Sequence, residues 1–242
     1  METRGRVALV TGGARRIGRA IAIALASDGA RVAVHYGKSS EEAREVIGAI
    51  EAAGGEARGF HAELRNPDAP ARLVETVARE MGGFDILVNS AAIMLRTPIG
   101  EVTPAVWDDM MAINLRAPFF ASQAAARVMP DGSAIVNIAD LAALETWTGY
   151  VPHGISKAGV VQMTRALAHA LAPRVRVNAI APGVVMLPEG WKEESTAHLL
   201  ATTPLKRFGG PEDVVGAVRY LLSADFVTGH TLVCDGGRQV RR

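Results

Sequence analysis

Short β-branched runs alternate with longer helical stretches along all 242 residues of this chain, and this alternation constrains its fold more than any other feature. The candidate strands are Val7–Val10, Arg31–His35, Ala57–His61, Ile86–Asn89, Ala134–Ile138, Val175–Ile180 and Thr231–Cys234. The candidate helices are Ile17–Asp28, Ser40–Ala53, Ala69–Met81, Pro104–Met129, His153–Leu171 and Pro211–Ser223. Repeated strand–helix–strand units predict a single α/β domain over residues 1–242, a doubly wound parallel sheet of about seven strands with helices on both faces.

Composition narrows the possible classes of function. Hydrophobic residues make up 49% of the chain and aromatic residues only 5%, which suits helices packed on a buried parallel sheet. A net charge of +1 does not favour a nucleic-acid partner, and no apolar run approaches the ~20 residues of a membrane span. Cys234 is the only cysteine, which excludes an intrachain disulfide. We expect a cytoplasmic protein that acts on a small molecule, without a nucleic-acid or membrane partner, and a basic tail (Arg238, Arg241 and Arg242) facing solvent.

A glycine-containing turn follows the first predicted strand. The segment TGGARRIG, Thr11–Gly18, joins that strand to a helix. Gly12 permits a tight turn, Gly18 lets the helix pack closely on the strand, and the free N–H groups at the helix start, around Ile17, can hold a pyrophosphate. The alternative is a tight turn without a ligand. The position of the motif between a strand and a helix favours dinucleotide binding.

The residues around the end of the second strand discriminate between two nicotinamide cofactors. NAD enzymes of this fold carry an acidic residue there for the ribose 2′-hydroxyl, whereas basic residues accept the 2′-phosphate of NADP. The polar and basic residues at this point are Arg15, Arg16, His35, Tyr36, Lys38 and Ser39, and no carboxylate comes before Glu41. Isolated cations commonly face water, but several that converge on one corner predict NADPH as the cofactor.

Six motifs, in order along the chain, resemble the short-chain dehydrogenase/reductase family. They are TGGARRIG, Asn89-Ser90-Ala91, INLRAP at Ile113–Pro118, Ser156-Lys157-Ala158, VNAIAPG at Val177–Gly183 and CDGG at Cys234–Gly237. The resemblance implies a Rossmann-type domain in which Asn114 kinks its helix and holds a water of the proton relay, while Lys157 binds the nicotinamide ribose.

The same resemblance implies further cofactor contacts and an assembly. The implied contacts come from the ends of the third, fourth and sixth strands, at Glu63, Leu64, Asn89, Ala91, Pro182 and Gly183. The implied assembly is a homotetramer in which the helices over residues 104–129 and 153–171 pair between subunits. The alanine-rich faces of these helices permit such close approach, and they would serve equally well inside one subunit.

Three details resemble the pteridine-reductase branch of the family. Arg16 stands where most members have glycine, and the second strand ends in His35 and Tyr36 with Ser39 three residues later. Asp140 occupies a position where most members have serine. This closer resemblance implies NADPH-dependent reduction of a C=N bond in a pterin-like or dihydrofolate-like ring.

The predicted catalytic centre departs from the family at one position. His153 stands four residues before Lys157, where the family has its catalytic tyrosine, and Tyr150 precedes the expected helix and is no automatic substitute. A neutral imidazole is a poor proton source, which would hinder carbonyl reduction, whereas a C=N nitrogen is basic enough to arrive protonated. Asp140 as a carboxylate would then stabilise the iminium. We therefore predict Asn114, Asp140, His153 and Lys157 as the catalytic residues.

The stretch 184–210 has no clear periodicity, which is typical of a functional loop in a compact domain. It follows the sixth predicted strand at the carboxyl edge of the sheet, where ligands bind in such folds. Met94 stands where the pteridine branch has a stacking aromatic residue. Trp191 could replace that aromatic surface or simply pack to fix the loop. We expect a substrate loop or lid over 184–210, with Met94 and Trp191 contacting the substrate.

Three functional hypotheses follow. The first is an NADPH-dependent oxidoreductase that reduces a pterin-like or cyclic imine substrate. The second is a carbonyl reductase of the 3-oxoacyl or ketone type, and the third is a non-catalytic NADPH-binding sensor in which His153 marks an inactive site. His153 as a metal ligand has little support, because Asp140 is its only evident potential co-ligand, so no metal is expected.

Overall fold

The computed structural model describes residues 1–186 and 193–240 and contains one parallel sheet flanked by helices. The strands are β1 (Val7–Thr11), β2 (Arg31–Tyr36), β3 (Glu56–His61), β4 (Ile86–Asn89), β5 (Ser133–Ile138), β6 (Val175–Pro182) and β7 (Thr231–Cys234). The helices are α1 (Arg16–Ser27), α2 (Ser40–Ala52), α3 (Ala69–Met81), α4 (Pro104–Met111), α5 (Ala117–Val128), α6 (Val151–Leu171), α7 (Glu193–Thr202) and α8 (Pro211–Ser223). Short 3₁₀ turns lie at Leu141–Ala143 and Arg238–Val240.

The strand order is β3-β2-β1-β4-β5-β6-β7, and every pairing is parallel. The prediction of a doubly wound sheet is confirmed. The order reverses between β1 and β4, where Thr11 pairs with Asn89. In open α/β sheets the crevice at such a reversal is where ligands bind. The fold therefore places the predicted turn, Thr11–Gly18, beside the end of β4.

Helices cover both faces of the sheet, because successive residues of each strand point to opposite sides. Ala8 and Val10 of β1 belong to one core cluster, together with side chains of α1, α2 and α8. Val7 and Leu9 belong to the other, with side chains of α3, α5 and α6. This two-sided burial explains why β1, β4 and β5 read as continuous apolar runs rather than as alternating patterns.

Most element boundaries lie within two residues of the sequence prediction, and two segments differ more. The single helix predicted over Pro104–Met129 is divided into α4 and α5 by a π-helical turn at Ala112–Arg116. The buried side chain of Asn114 lies within that turn and bonds to a neighbouring loop. The segment 184–210, predicted as irregular, contains α7. Helix α6 begins at Val151, so Tyr150 precedes it as predicted.

Within the described residues, no helix combines the length and the apolar character needed to cross a membrane.

Candidate active site

The turn after β1 packs closely against the segment after β4 and against the start of α1. Gly12 has a positive φ of 64°, and a Cβ atom there would stand 2.9 Å from Ala91 Cα. A Cβ atom on Gly18 would overlap the carbonyl oxygen of Gly12. Thr11 Oγ1 accepts hydrogen bonds from the backbone N–H groups of Ser90 and Ala91, at 3.0 and 3.1 Å. The turn is thereby tied to the end of β4, with the start of α1 facing the crevice, which fits the predicted pyrophosphate site.

Arg16 occupies this turn in a conformation that side chains rarely adopt. Its φ is 51°, in the left-handed region that explains why glycine would be the easier residue here. The guanidinium is exposed, and its Nη2 donates a hydrogen bond of 2.9 Å to the carbonyl oxygen of Met186. Arg15 is also exposed, 3.8 Å from Glu42 across the start of α2. Two guanidinium groups therefore border the turn from the solvent side.

His35 has a different place from the one that the sequence predicted. It is buried, and its Nδ1 accepts a 3.0 Å hydrogen bond from the N–H of Gly12 while its Nε2–H donates to the carbonyl oxygen of Ala62 at 3.1 Å. Burial lowers the pKa of the imidazole to about 4. His35 is therefore a neutral brace of the glycine turn, not a cation for a 2′-phosphate, because both ring nitrogens are already bonded inside the fold.

The other residues predicted to touch the cofactor line the carboxyl edge of the sheet. Lys38 is exposed and Ser39 is half-buried at the start of α2, while the Tyr36 ring lies 5.6 Å from that of His61. After β3, Glu63 is exposed and Leu64 is buried. The half-buried Ile17 packs on the core under the turn.

Asn89 and Gly183 contribute through the backbone and the packing. The amide of Asn89 is buried and donates to Ser122 Oγ and to Asn137 Oδ1, which ties β4 to α5 and β5. Gly183 follows Pro182 at the end of β6, where a Cβ atom would stand 2.8 Å from Asp235 Cα. Both positions therefore shape the edge of the crevice rather than offer a free side chain.

Lys157 and Asp140 meet at the carboxyl end of β5. Lys157 is buried on α6, and its Nζ donates a 2.8 Å hydrogen bond to the carbonyl oxygen of Ile138, the last residue of β5. Burial lowers the pKa of its ammonium group to about 8, and the nearby Asp140 carboxylate opposes this decrease. Asp140 is anchored by the N–H of Ala142, which donates to its Oδ1 at 2.8 Å.

His153 lies behind Asp140 on the first turns of α6. Its Nε2 is 3.6 Å from Asp140 Oδ2, and this buried nitrogen has no hydrogen-bond partner among the described residues. Its Nδ1 is 3.2 Å from the carbonyl oxygen of Ile93. The exposed fraction of the side chain is 3% for His153 and 24% for Asp140. The predicted pair is thus in contact, with the carboxyl group as its accessible member.

Asn114 fastens the loop after β4 to the helical layer. Its Oδ1 accepts from the N–H of Ile93 and its Nδ2 donates to the carbonyl oxygen of Ile93, both at 2.9 Å. Nδ2 also lies 3.1 Å from Ser156 Oγ and 3.4 Å from His153 Nδ1. The structure therefore brings Asn114, Asp140, His153 and Lys157 together, as the sequence predicted.

Exposed apolar side chains lie on the segments that follow three of the strands. Met94 is exposed beside Ile93, and the others after β4, β5 and β6 include Leu95, Ile99, Leu144, Met186, Leu200 and Leu205. Trp191, predicted to contact substrate, lies outside the described residues. Met94 therefore stands next to Ile93, whose backbone contacts both Asn114 and His153.

Sequence reasoning missed one buried cation besides Lys157. Arg238 was expected to face solvent, but it is buried in the 3₁₀ turn after β7, with its Nε 3.5 Å from Glu145 Oε2. Glu145 also accepts a 2.9 Å hydrogen bond from the Trp147 indole. No local signal distinguishes Arg238 from a solvated arginine, because its burial depends on a loop 93 residues earlier in the chain. Among the described residues, no group of three or more potential metal ligands converges.

Comparisons with known proteins agree with this architecture. A family model described as enoyl-(acyl carrier protein) reductase matches residues 12–239. A 3-oxoacyl-[acyl-carrier-protein] reductase of Synechocystis sp. is 36% identical over 238 residues, covering 96% of each chain. A short-chain dehydrogenase/reductase from Serratia marcescens superposes with a TM-score of 0.94 at 35% identity, covering 99% of this chain and 100% of that one. A blue fluorescent protein from a metagenomic library, solved with NADPH, gives 0.92 at 37% identity, covering 98% and 99%.

Proposed function

Because the chain belongs to the short-chain dehydrogenase/reductase family, we propose that it is an NADPH-dependent carbonyl reductase of the 3-oxoacyl or ketone type. The observation that carries this proposal is the convergence of Lys157, Asp140, His153 and Asn114 at the carboxyl end of β5, beside the switch point of the sheet. The relative named above acts on a 3-oxoacyl substrate, which supports carbonyl reduction ahead of pterin reduction.

The cofactor assignment rests on the turn after β1. Gly12 lets this turn pack directly against Ala91, where no Cβ would fit, and the start of α1 that follows the turn carries the backbone N–H groups that we assign to the pyrophosphate. Arg15, Arg16 and Lys38 are exposed around it, with Ser39 between Lys38 and α2. These cations are the groups we assign to the 2′-phosphate, and the structural neighbour solved with NADPH supports the same cofactor.

Four residues of this chain have separate roles in the proposed carbonyl reduction. NADPH, when bound, supplies a hydride to the carbonyl carbon. Lys157 holds the nicotinamide ribose and places a positive charge beside the reacting oxygen, Asp140 and His153 provide the proton that this oxygen takes up, and Asn114 fixes the backbone of Ile93 below them. The exposed apolar side chains around Met94 exclude water from the substrate.

A second candidate is reduction of a C=N bond in a cyclic imine or pterin-like ring. The specific observation in its favour is the carboxyl group of Asp140, which is accessible at the centre and would stabilise a cationic iminium. Arg16 and the His35–Tyr36 strand end add the resemblance to the pteridine-reductase branch.

A substrate panel separates the hypotheses. Purified protein is mixed with NADPH and, in turn, an acetoacetyl thioester, a bicyclic ketone, a cyclic imine and dihydrobiopterin, and NADPH oxidation is followed by its absorbance. Turnover of the thioester or ketone supports the proposal. Turnover of the imine or pterin alone would replace it with the second candidate. Tight NADPH binding without turnover of any compound would indicate the non-catalytic sensor.

We also propose a homotetramer, in which the contact surface differs from the one expected from the sequence. The alanines of α5 that were expected to face a partner (Ala121, Ala124 and Ala125) are buried within this subunit. The exposed aromatic residues of that layer are Trp107, Phe119 and Phe120, while Ala158, Ala166 and Ala170 of α6 remain exposed as expected. Light scattering coupled to gel filtration tests the assembly, and a Phe119→Asp/Phe120→Asp variant should release smaller species.

A further inference from the structure

The turn that follows β7, residues 235–240, contacts two other segments at the carboxyl edge of the sheet. On one side it meets the segment after β6, where the N–H of Leu205 donates a 3.1 Å hydrogen bond to the carbonyl oxygen of Gly236. On the other side the side chain of Arg238 reaches Glu145, in the segment between β5 and α6. This C-terminal turn therefore joins two segments that are distant from each other in the sequence.

Two glycines make room for the first of these contacts. Gly236 has a φ of 66°, and a Cβ atom there would stand 2.9 Å from Thr203 Cγ2. Gly237 has a φ of 85°, and its Cβ atom would stand 3.2 Å from the side chain of Pro204. The N–H of Gly237 donates to Asp235 Oδ1 at 2.8 Å, which closes the turn. The residues just after α7 thus pack on the turn that carries Arg238.

Arg238 is a buried cation that has Glu145 as its counter-charge. The exposed fraction of the side chain is 9% for Arg238 and 15% for Glu145, and Arg238 Nε lies 3.5 Å from Glu145 Oε2. Arg238 Nε and Nη1 are enclosed and have no hydrogen-bond partner among the described residues. A buried charge without hydrogen bonds depends on its ion pair, and removal of one partner leaves the other uncompensated. The position of each side chain therefore depends on the other.

Glu145 passes this dependence on to an aromatic pair. The oxygen that faces Arg238, Oε2, also accepts a 2.9 Å hydrogen bond from the indole Nε1 of Trp147. The Trp147 ring packs edge-on against Tyr150, with 6.3 Å between the ring centroids and 76° between the planes. One carboxylate oxygen thus orients the indole and pairs with the buried guanidinium. Displacement of Glu145 would release Trp147 as well.

The segment that carries this aromatic pair connects catalytic residues. It begins next to Asp140 and ends next to His153. Near its end the carbonyl oxygen of Gly149 accepts a 2.8 Å hydrogen bond from the N–H of Thr97, in the loop that also carries Met94. A shift of this segment would therefore disturb both the residues assigned to catalysis and the loop predicted to contact the substrate.

We propose that Arg238 is a positioning residue for the carbonyl substrate. It acts through Glu145, which holds Trp147, and with it the segment between β5 and α6, against the C-terminal turn. The proposal rests on the proposed reductase function and adds the C-terminal turn to the parts of the chain that determine substrate affinity. Three strands lie between β7 and β1, so the cofactor turn is outside this set of contacts.

The kinetic test compares Arg238→Met with Arg219→Met. Arg219 makes two hydrogen bonds of 2.7 Å to Asp28, so its replacement also removes an arginine–carboxylate pair, but one that joins α8 to α1. With the acetoacetyl thioester or the bicyclic ketone, Arg238→Met should raise KM for that compound about 10-fold and change kcat less than about 2-fold. KM for NADPH should stay at the wild-type value, and Arg219→Met should change none of these constants. Arg238→Lys, which keeps a cation beside Glu145, should raise KM less and serves if Arg238→Met does not fold.

A double-mutant cycle tests the route through Glu145. Glu145→Gln removes the counter-charge, so the further change Arg238→Met should then raise KM less than it does in the wild-type protein. Additive effects of the two substitutions on KM would overturn the proposal. A fall in kcat at unchanged KM, or equal effects of Arg238→Met and Arg219→Met, would overturn it too.

Hydrogen exchange of the protein without substrate separates failure of this proposal from failure of the proposed function. In Arg238→Met the backbone amides of residues 141–150 should exchange about 5-fold faster than in the wild type, whereas Arg219→Met should leave them unchanged. Unchanged exchange over 141–150 in Arg238→Met would refute the proposal even if the protein reduces ketones. Faster exchange in a protein that reduces none of the carbonyl compounds would support the contact between Arg238 and this segment and refute the reductase function.

Discussion

The Arg16 guanidinium reaches the carbonyl oxygen of Met186, at 2.9 Å and 170 residues further along the chain. The contact joins the cofactor turn to the start of the segment after β6. A residue with a φ of 51° therefore links the turn to which we assign the cofactor phosphates with the segment that follows β6. Its backbone cost, about 1–2 kcal/mol for a side chain in the left-handed region, is consistent with selection for function over stability.

Replacing Arg16 should separate these two effects. Arg16→Gly removes the strain and should raise the free energy of unfolding by about 1 kcal/mol, while KM for NADPH rises about 10-fold and that for NADH is nearly unchanged. Arg19→Ala, an exposed cation one turn further along α1, is the matched control. Unchanged discrimination between the two cofactors in Arg16→Gly would mean that the 2′-phosphate is bound by Arg15 and Lys38 alone.

Gly12→Ala should abolish cofactor binding. The added Cβ would lie 2.9 Å from Ala91 Cα at a φ of 64°, so we expect a loss of about 2 kcal/mol or more in stability and no measurable NADPH fluorescence enhancement. Gly48→Ala in α2 has open space around it and should instead stabilise the protein by about 0.5–1 kcal/mol. Normal NADPH binding by a folded Gly12→Ala protein would contradict the close approach assigned to this turn.

His35 should make stability depend on pH. Its pKa is lowered from 6.5 to about 4 in the folded protein, so the unfolded chain binds more protons between these values. The contribution of neutral His35 to the free energy of unfolding is therefore fully present above about pH 6.5, and it decreases by about 3 kcal/mol as the pH falls to about 4. His35→Asn can still accept from Gly12 N–H but cannot titrate. Urea unfolding across this range should show a flatter slope for His35→Asn, and equal slopes would refute the assignment.

Lys157→Met should raise the free energy of unfolding near pH 7 and abolish most of the reductase activity. The pKa of Lys157 is lowered from 10.5 to about 8, so the unfolded chain binds more protons between these values, and charged Lys157 destabilises the fold by about 3 kcal/mol at neutral pH. The loss of the bond to Ile138 O offsets part of this. We expect Lys157→Met to unfold at higher urea near pH 7, with an advantage that shrinks above about pH 8, and to lose nearly all reductase activity. Lower stability near pH 7 would show that the bond to Ile138 outweighs desolvation.

Much of the fold follows from local sequence, because strand and helix periodicity is a property of each segment. The turn after β1 and the group of Asn114, Asp140 and Lys157 were recognisable because each lies in or beside a short motif that resembles the family. The role of His35 was not recognisable, since a basic residue at that position can face solvent or bond inward, and only the positions of Gly12 and Ala62 decide between them. Helix α7 was missed because its residues lack a clear apolar period.

The carbonyl hypothesis was placed second by sequence reasoning because His153 alone is a poor acid. That argument treated residue 153 as the group that meets the substrate, in analogy with a tyrosine. The i, i+4 spacing of His153 and Lys157 places both side chains on one face of the helix, but it does not determine how much of either side chain is exposed. In the structure the two side chains of Asp140 and His153 are in contact, and Asp140 is the more exposed of the pair.

Asn114 satisfies both backbone groups of Ile93, as a neighbouring strand would. The loop that carries Met94 is therefore held mainly by the Asn114 amide, while His153 Nδ1 adds one contact of 3.2 Å with the carbonyl oxygen of Ile93. The side chain at position 153 could therefore change without a shift of the backbone around Ile93. We therefore expect the backbone of Ile93 to keep its position when residue 153 is substituted, because both hydrogen bonds from Asn114 remain.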